Sequence, residues 1–271
     1  MSDRWRLLVT APMNGALNMA LDEALAESAG AGEGLPTLRF YQWAPPCLSL
    51  GRNQALAEVD SEACRRLGYD IVRRPTGGRS ILHTDELTYS VTGPAADPRL
   101  AGSILDSYLR LAQALELGLE RMGLAVKKAS GDTRAGADVS AACFEAPSAY
   151  EITVNGRKLI GSAQSRRQGW VLQHGSLPLT GNITRVVDGL SFASADEREA
   201  LRRILAQRAT TVEAELARPV DSAEAMAALT DAFAQRLGVT LTPGEISPQE
   251  QQRVERLLNE RYLHPAWTGK N

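Results

Sequence analysis

The chain has 271 residues, 44% of them hydrophobic, and 30 basic against 32 acidic side chains leave a net charge of −2. That is enough apolar material for a substantial core, which excludes a globally disordered chain, and the balanced charge speaks against a dedicated nucleic-acid binder. No run of about 18 apolar residues occurs, MSDRWRLLVTAPMNG lacks the apolar stretch of a signal peptide, and the cysteines Cys47, Cys64 and Cys143 suggest no disulfide framework, so a reducing cytoplasm is the expected setting.

Leu17, Leu21, Ala24 and Leu25 recur at helical spacing and predict an amphipathic helix over Asn14 to Ala29, ended by Gly30 to Gly34. Leu38 to Trp43 reads as a strand interrupted by Pro45-Pro46, and Leu48 to Arg52 as a second short one. Asp60 is the N-cap of a helix that runs to Leu67 and stops at Gly68. Tyr69 to Arg74 is a strand leading into Pro75-Thr76-Gly77-Gly78. Ser80 to Thr92 follows, with Leu87, Tyr89 and Val91 alternating with Thr88, Ser90 and Thr92 as in a half-buried strand. Ser103 caps a helix to Met122 with Asp106 completing a capping box, and Ile104, Tyr108, Leu111, Leu115, Leu119 and Met122 form its apolar stripe.

Leu124 to Lys127 is a further strand, and Ala129 to Ala142 is loop-like. Asn155-Gly156 is the preferred pair for a type I′ hairpin turn, because both central residues need positive φ. With that turn Val154 opposes Arg157 and Thr153 opposes Lys158. Lys158, Thr153, Glu151 and Ile160 then share one face, and Ile152, Val154 and Leu159 the other. Trp170 to Leu179 is a strand; Ala195 to Gln207, Ser222 to Leu237 and Pro248 to Tyr262 are helices; Val239 to Leu241 is an edge strand. Strands joined by hairpins and interspersed with helices predict an α/β (α+β) architecture, a mixed sheet flanked by helices.

Two constellations carry candidate chemistry. A lone cysteine is more often a small buried hydrophobe than a nucleophile, and Cys47 and Cys64 fit that description. Cys143 differs, because an ordered hairpin bearing Lys158 follows it, and a nearby cation lowers the pKa of a thiol from about 8.5. The second is RRPTGGRSILHTDELTYSV, Arg73 to Val91. There Gly77-Gly78 permits close backbone approach to a ligand, and Arg73, Arg74 and Arg79 surround it with positive charge. It reads equally as a pocket-lining loop or as an ordinary turn with solvated arginines. His83 and His174 are single histidines with no zinc-ligand spacing, and neither a GxSxG nor a nucleotide-binding glycine motif occurs.

Together with NMALDEAL (Asn18 to Leu25) and RFYQWAPPCLSLGRNQ (Arg39 to Gln54), these segments give a specific resemblance over most of residues 14 to 180. The chain resembles the lipoate-protein ligase, octanoyltransferase and biotin-ligase superfamily, most of all its cysteine-dependent octanoyltransferase branch. The resemblance implies a biotin/lipoate ligase-like catalytic domain with a mixed, largely antiparallel sheet, expected over residues 1–245, with a helical extension over 246–271 packed on it. It implies an acyltransferase of lipoate biosynthesis. Octanoyl-acyl carrier protein is the implied donor, and a lysine of a lipoyl-domain protein, such as glycine cleavage H protein, the implied acceptor. No cofactor, metal, nucleic acid or membrane is involved.

In that family pattern Cys143 is the acyl-thioester nucleophile and Lys158 the lysine that acts on the acyl carbonyl and the thiol. Arg73, Arg74, Gly77, Gly78, His83, Gly161, Ser162 and Ala163 are the implied substrate-binding residues. The ATP-dependent ligases typically carry a third glycine and an aspartate where this chain has Arg79 and Thr84, and biotin ligases carry a GRGR-type loop absent here. A lipoyl or octanoyl amidotransferase, an ATP-dependent lipoate ligase and a non-catalytic binder of lipoyl domains are the alternatives. Arg73, Arg74, Arg79, Lys127, Lys128, Arg166 and Arg167 are the expected basic surface for an acidic carrier protein.

Overall fold

The computed structural model describes residues 3–128, 152–167 and 169–270. In chain order these form β1 (Arg4–Val9), α1 (Gly15–Gly30), β2 (Thr37–Tyr41), β3 (Cys47–Leu50), α2 (Ser61–Leu67), β4 (Asp70–Arg73), β5 (Ile81–His83), β6 (Glu86–Pro94), α3 (Ile104–Arg121) and β7 (Val126–Lys128). Then come β8 (Ile152–Val154), β9 (Arg157–Arg167), β10 (Trp170–Pro178), α4 (Ala195–Arg208), α5 (Val212–Leu216), α6 (Ser222–Leu237), β11 (Thr240–Pro243), α7 (Pro248–Leu257) and α8 (Pro265–Thr268).

Among the described residues an eight-stranded sheet runs β11-β1-β2-β6-β10-β9-β8-β7, and a three-stranded sheet runs β4-β3-β5. In the large sheet β1 is parallel to β2 and β11, and the pairs from β2 through β7 are antiparallel. The mixed, largely antiparallel architecture expected from the sequence is therefore the one found. Both sheet faces are covered. Leu87, Tyr89 and Val91 of β6 join the core that α3 and α6 close with Leu111, Leu115, Leu229 and Phe233. The alternate residues Thr88, Ser90 and Thr92 are also buried, on the face toward α1.

Local signals fix several boundaries. Asp60 accepts from Ala63 N at 2.8 Å, and Gly68 ends α2 in the left-handed region. Ser103 and Asp106 form the expected capping box. Asn155 and Gly156 have φ of 50° and 76°, as a type I′ turn requires.

Elsewhere tertiary structure corrects the reading. Ser80 to Thr92 is not one strand: it breaks at Thr84-Asp85, so that β5 belongs to the small sheet and β6 to the large one. α1 is not amphipathic but buried on nearly every side, held between the sheet and α7, with Asn18, Asp22 and Glu23 inside. Ile104 leaves the apolar stripe of α3, standing 55% exposed at the first turn. β1 escapes the alternation test because Arg6 is buried, its guanidinium paired with Glu250 of α7 at 2.6 Å. The last helix changes to a π-helical turn over Leu258–Tyr262.

A correction with consequences lies in the hairpin. Thr153 does oppose Lys158, but the register then shifts, and Ile152 opposes Ile160. Leu159 is the extra residue of a bulge. Ile160 thus turns into the core beside Ile152, away from the face it was expected to share with Lys158. Among the described residues no helix is long and apolar enough to cross a membrane.

Candidate active site

A cavity lies between the α1 face of the large sheet and the small sheet. Its floor is the middle of β6, β10 and β9, where His174 pairs with Ala163 and Ser90, and Ser176 pairs with Gly161 and Thr88. Its roof is Ser49 of β3 with Ile81 and His83 of β5, and Met19, Tyr41 and Trp43 give it apolar walls. Gly175, between His174 and Ser176, is required by the opposite face of the sheet: a Cβ at that position would stand 2.5 Å from Ser162 Oγ and 2.6 Å from Tyr89. At the loop after β4, a Cβ on Gly51 would meet the Gly78 carbonyl at 1.8 Å, and Gly78 itself has φ of +93°.

Two buried relays of hydroxyl, imidazole and carboxylate border the cavity. In the first, Ser49 Oγ is 2.8 Å from His83 Nε2, and His83 Nδ1 is 3.0 Å from Glu86 Oε1. A carboxylate accepts, so Nδ1 donates to it, and Nε2 shares the second hydrogen bond with the serine hydroxyl. Trp43 stacks on the His83 ring at 4.0 Å between centroids and donates Nε1–H to Thr88 Oγ1. Arg74 donates to both the carbonyl and the hydroxyl of Ser49, and to the carbonyls of Gly77 and Arg79. The loop is thereby folded around its own guanidinium.

In the second relay, Thr76 Oγ1 is 2.6 Å from His174 Nε2, and His174 Nδ1 is 3.3 Å from Asp22 Oδ2. Asp22 also receives Arg39, Tyr41 and Ser90. Burial raises the Asp22 carboxyl, but Arg39 and these donors outweigh it and hold the group below the usual carboxylate range. Burial pushes the His174 imidazole down despite Asp22, so at neutral pH it is uncharged and accepts from Thr76. Both rings are thus held in place by hydrogen bonds at both nitrogens. The wall is polar at defined points and apolar between them, as suits a ligand with a hydrocarbon body.

Lys158 takes the same face of the sheet as the cavity floor, although it is not itself among the cavity-lining residues. Val154 and Ile152 face the α3 core, so Thr153 between them and its partner Lys158 face the other way; beyond the bulge Gly161 and Ala163 take that same face. The lysine is 1% exposed, and its carbonyl accepts from Thr210 N at 3.0 Å. Cys143 lies outside the described residues, as does Glu151.

Residues 14–234 match the family described as the lipoyl protein ligase A/B catalytic domain. The chain belongs to that family. It is 41% identical over 266 residues to Octanoyltransferase LipM of Carboxydothermus hydrogenoformans, covering 98% of each chain. It is 42% identical over 268 residues to Octanoyltransferase LipM of Kyrpidia tusciae, covering 97% of each. In fold it is similar to a bipartite lipoate protein ligase of Thermoplasma acidophilum, at a TM-score of 0.83, 22% identity, 98% of this chain and 96% of that one. It is similar also to lipoate-protein ligase A bound with ATP, at a TM-score of 0.80, 22% identity and 98% of both chains.

Within this lipoyl protein ligase A/B catalytic domain, Arg74, Gly78, His83, Gly161, Ser162 and Ala163 come together at the cavity. Arg73 points elsewhere. Its guanidinium donates to the carbonyls of Gly51 and Gln54 and to those of Trp267, Thr268 and Lys270, a hub between the β3 loop and the C-terminal segment. Gly77 contributes its carbonyl to Arg74 and is not among the lining residues. The residues that sequence reasoning passed over are Ser49, Trp43, Thr76, Thr88 and Asp22. Asp22 carried a signal, one of two adjacent carboxylates, Asp22 and Glu23, set among Leu21, Ala24 and Leu25, whereas the hydroxyls carried none.

The basic surface is a further correction. Arg73 and Arg74 are buried, Arg79 pairs with Glu58 at 3.2 Å, and Arg166 donates to Gln164, Ser107 and the Leu100 carbonyl. Arg167 leans toward Glu23. Arg73 and Arg74 are thus internal, Arg79, Arg166 and Arg167 are half-buried against partners, and Lys127 is exposed. The other two cysteines are buried, and burial raises the Cys47 thiol well above its ordinary value and the Cys64 thiol to about 11. Among the described residues no group of three or more His, Cys, Asp or Glu is placed to hold a metal ion.

Proposed function

We propose that this chain is a cysteine-dependent octanoyltransferase. It takes octanoyl from octanoyl-acyl carrier protein and delivers it to a lysine of a lipoyl-domain protein. The carrying observation is the match, at 41% and 42% identity over nearly the whole of both chains, to octanoyltransferases. The apolar cavity with a few fixed polar groups supports it.

In this reading the Cys143 thiolate attacks the donor thioester carbonyl, and the carrier departs as a thiol. The acceptor amine then attacks the new thioester, and Cys143 leaves with the electron pair of the broken C–S bond. Splitting the transfer in this way gives two easier steps. Lys158, buried on the cavity face, supplies a fixed positive charge to the thiolate and to the developing oxyanion, where low polarity strengthens it. Gly161, Ser162 and Ala163 floor the acyl pocket, and Arg74, Gly78 and His83 wall it. The test is intact-mass analysis after mixing the enzyme with octanoyl-acyl carrier protein in EDTA without nucleotide. One octanoyl adduct, absent from Cys143→Ala and discharged by a lipoyl-domain protein, is expected. Labelling that requires ATP and free acid overturns the assignment in favour of a ligase, and an adduct formed only from an octanoylated lipoyl domain in favour of an amidotransferase.

A further inference from the structure

A second cavity lies end to end with the acyl cavity. The two share Ile81 and Ser176. Their floors follow one sheet face: Thr88 and then Glu86 along β6, and His174, Ser176 and then Pro178 along β10, with Ser176 opposite Thr88 and Pro178 opposite Glu86. Residues two apart in a strand share a face and lie roughly 6.6 Å from one another, so the second cavity continues the first by one strand step. Its far wall is made by Ile183 and Val186, and its rim by the Asp85–Arg185 ion pair. What separates the two is a thin joint. Ile81 of the small sheet and Ser176 of the large one border both cavities, beside a Glu86 carboxylate whose Oε1 is held by His83 and Thr88 and whose Oε2 has no hydrogen-bond partner.

We propose that the Ile81–Ser176 joint is the stop that sets acyl-chain length, and that the second cavity is a closed-off continuation able to take a longer, unbranched acyl chain once Ile81 is shortened. This rests on the reading of the first cavity as the acyl pocket. An alkyl chain that ends before the joint keeps apolar contact along its length. A longer one has to displace Ile81, itself packed in the core of the small sheet, and to bring methylenes against a buried carboxylate. Beyond that point apolar wall is available again, so removal of the stop converts a barrier into binding surface. Each methylene moved from water into apolar space favours binding by about 4-fold.

The experiment compares wild type, Ile81→Ala, the milder Ile81→Val, and Ile81→Ala/Ile183→Trp, which reopens the joint but fills the second cavity. Acyl-enzyme formation is followed by intact mass with donors of eight, ten, twelve and fourteen carbons. Binding of the free fatty acids is followed in parallel by native mass spectrometry, which reads the cavity without any transfer. Wild type is expected to discriminate sharply beyond eight carbons. Ile81→Ala is expected to shift the ratio of twelve- to eight-carbon substrate by about 10-fold or more toward the longer chain, Ile81→Val by less, and the tryptophan is expected to cancel the gain. A folded Ile81→Ala protein with the wild-type ratio overturns the proposal, as does a gain that survives Ile183→Trp. If wild type forms no acyl-enzyme with any donor while the fatty-acid ladder still shifts, the joint stands and the transferase reading falls.

Discussion

Lys158 takes the cavity face of the sheet, and one extra residue, Leu159, inserted in β9 as a bulge, separates its direction from that of Ile160. Replacing Lys158 by alanine removes a fixed charge while leaving the thiol of Cys143. Iodoacetamide alkylation of Cys143 followed against pH is therefore expected to show a midpoint displaced upward in Lys158→Ala. One pKa unit corresponds to about 1.4 kcal/mol of lost differential stabilisation. Transfer should recover only partly at high pH, since the oxyanion also loses its partner. An unmoved midpoint limits the lysine to substrate binding.

His174 gives a second prediction at this scale. Its folded-state pKa lies below its unfolded value of 6.5, so the unfolded chain binds the proton first as pH falls. Its contribution to stability is complete above about pH 6.5 and declines below it. Urea midpoints measured from pH 7.5 downward should fall in wild type, and His174→Gln should show a shallower decline between pH 6.5 and 5. Equal slopes would remove His174 as the source.

At the scale of elements, α1 is the beam of the fold. It lies across the cavity face, closes the second relay through Asp22, and receives the C-terminal helices through Glu23, which accepts Tyr262 OH at 2.5 Å. The Asp22–Arg39 pair has no solvent exposure on either side chain. Asp22→Ala leaves a buried guanidinium without its anion, and a loss of about 3–5 kcal/mol in chemical denaturation is expected. Asp22→Asn keeps the shape and should lose less.

The Arg73 hub makes a different prediction. A lysine carries one compact ammonium and cannot serve carbonyls on both sides of it. Arg73→Lys should therefore speed amide exchange over residues 265–270 and weaken Trp267 Nε1–H donation to the Arg73 carbonyl, seen as a shift in tryptophan emission. Exchange as slow as in wild type would mean that α8 is held by its aromatic contacts alone.

For the whole molecule, the arginines near the site are mainly internal struts. Net charge is −2, and the basic residues expected to meet an acidic carrier are largely committed to Glu58, Gln164, Glu23 and main-chain carbonyls. Electrostatic steering of a carrier protein should accordingly be modest. Raising salt from about 0.05 to 0.5 M is expected to lower kcat/KM by only a few-fold, where a strongly steered encounter falls by far more. A fall of about 100-fold would point to a basic surface formed elsewhere, Lys127 included.

What the sequence determined by itself was the caps and the hairpin turn. Asp60 and Gly68 bounded α2, Ser103 and Asp106 opened α3, and Asn155-Gly156 made the turn that put Thr153 opposite Lys158, because caps and turns are satisfied by neighbours a few residues away. The motif segments also sufficed for the family, which matches over residues 14–234. Only the tertiary structure decided which polar groups were buried and what they faced. Arg73 and Arg74 are adjacent and chemically identical, yet one serves the C-terminal segment and the other folds the cavity loop, because Arg73 ends β4 and Arg74 opens the loop that follows it. His83 and His174 looked alike as single histidines. Glu86 three residues away holds the first, and Asp22, 152 positions away, holds the second, a pairing made by the sheet and α1 together and by nothing local.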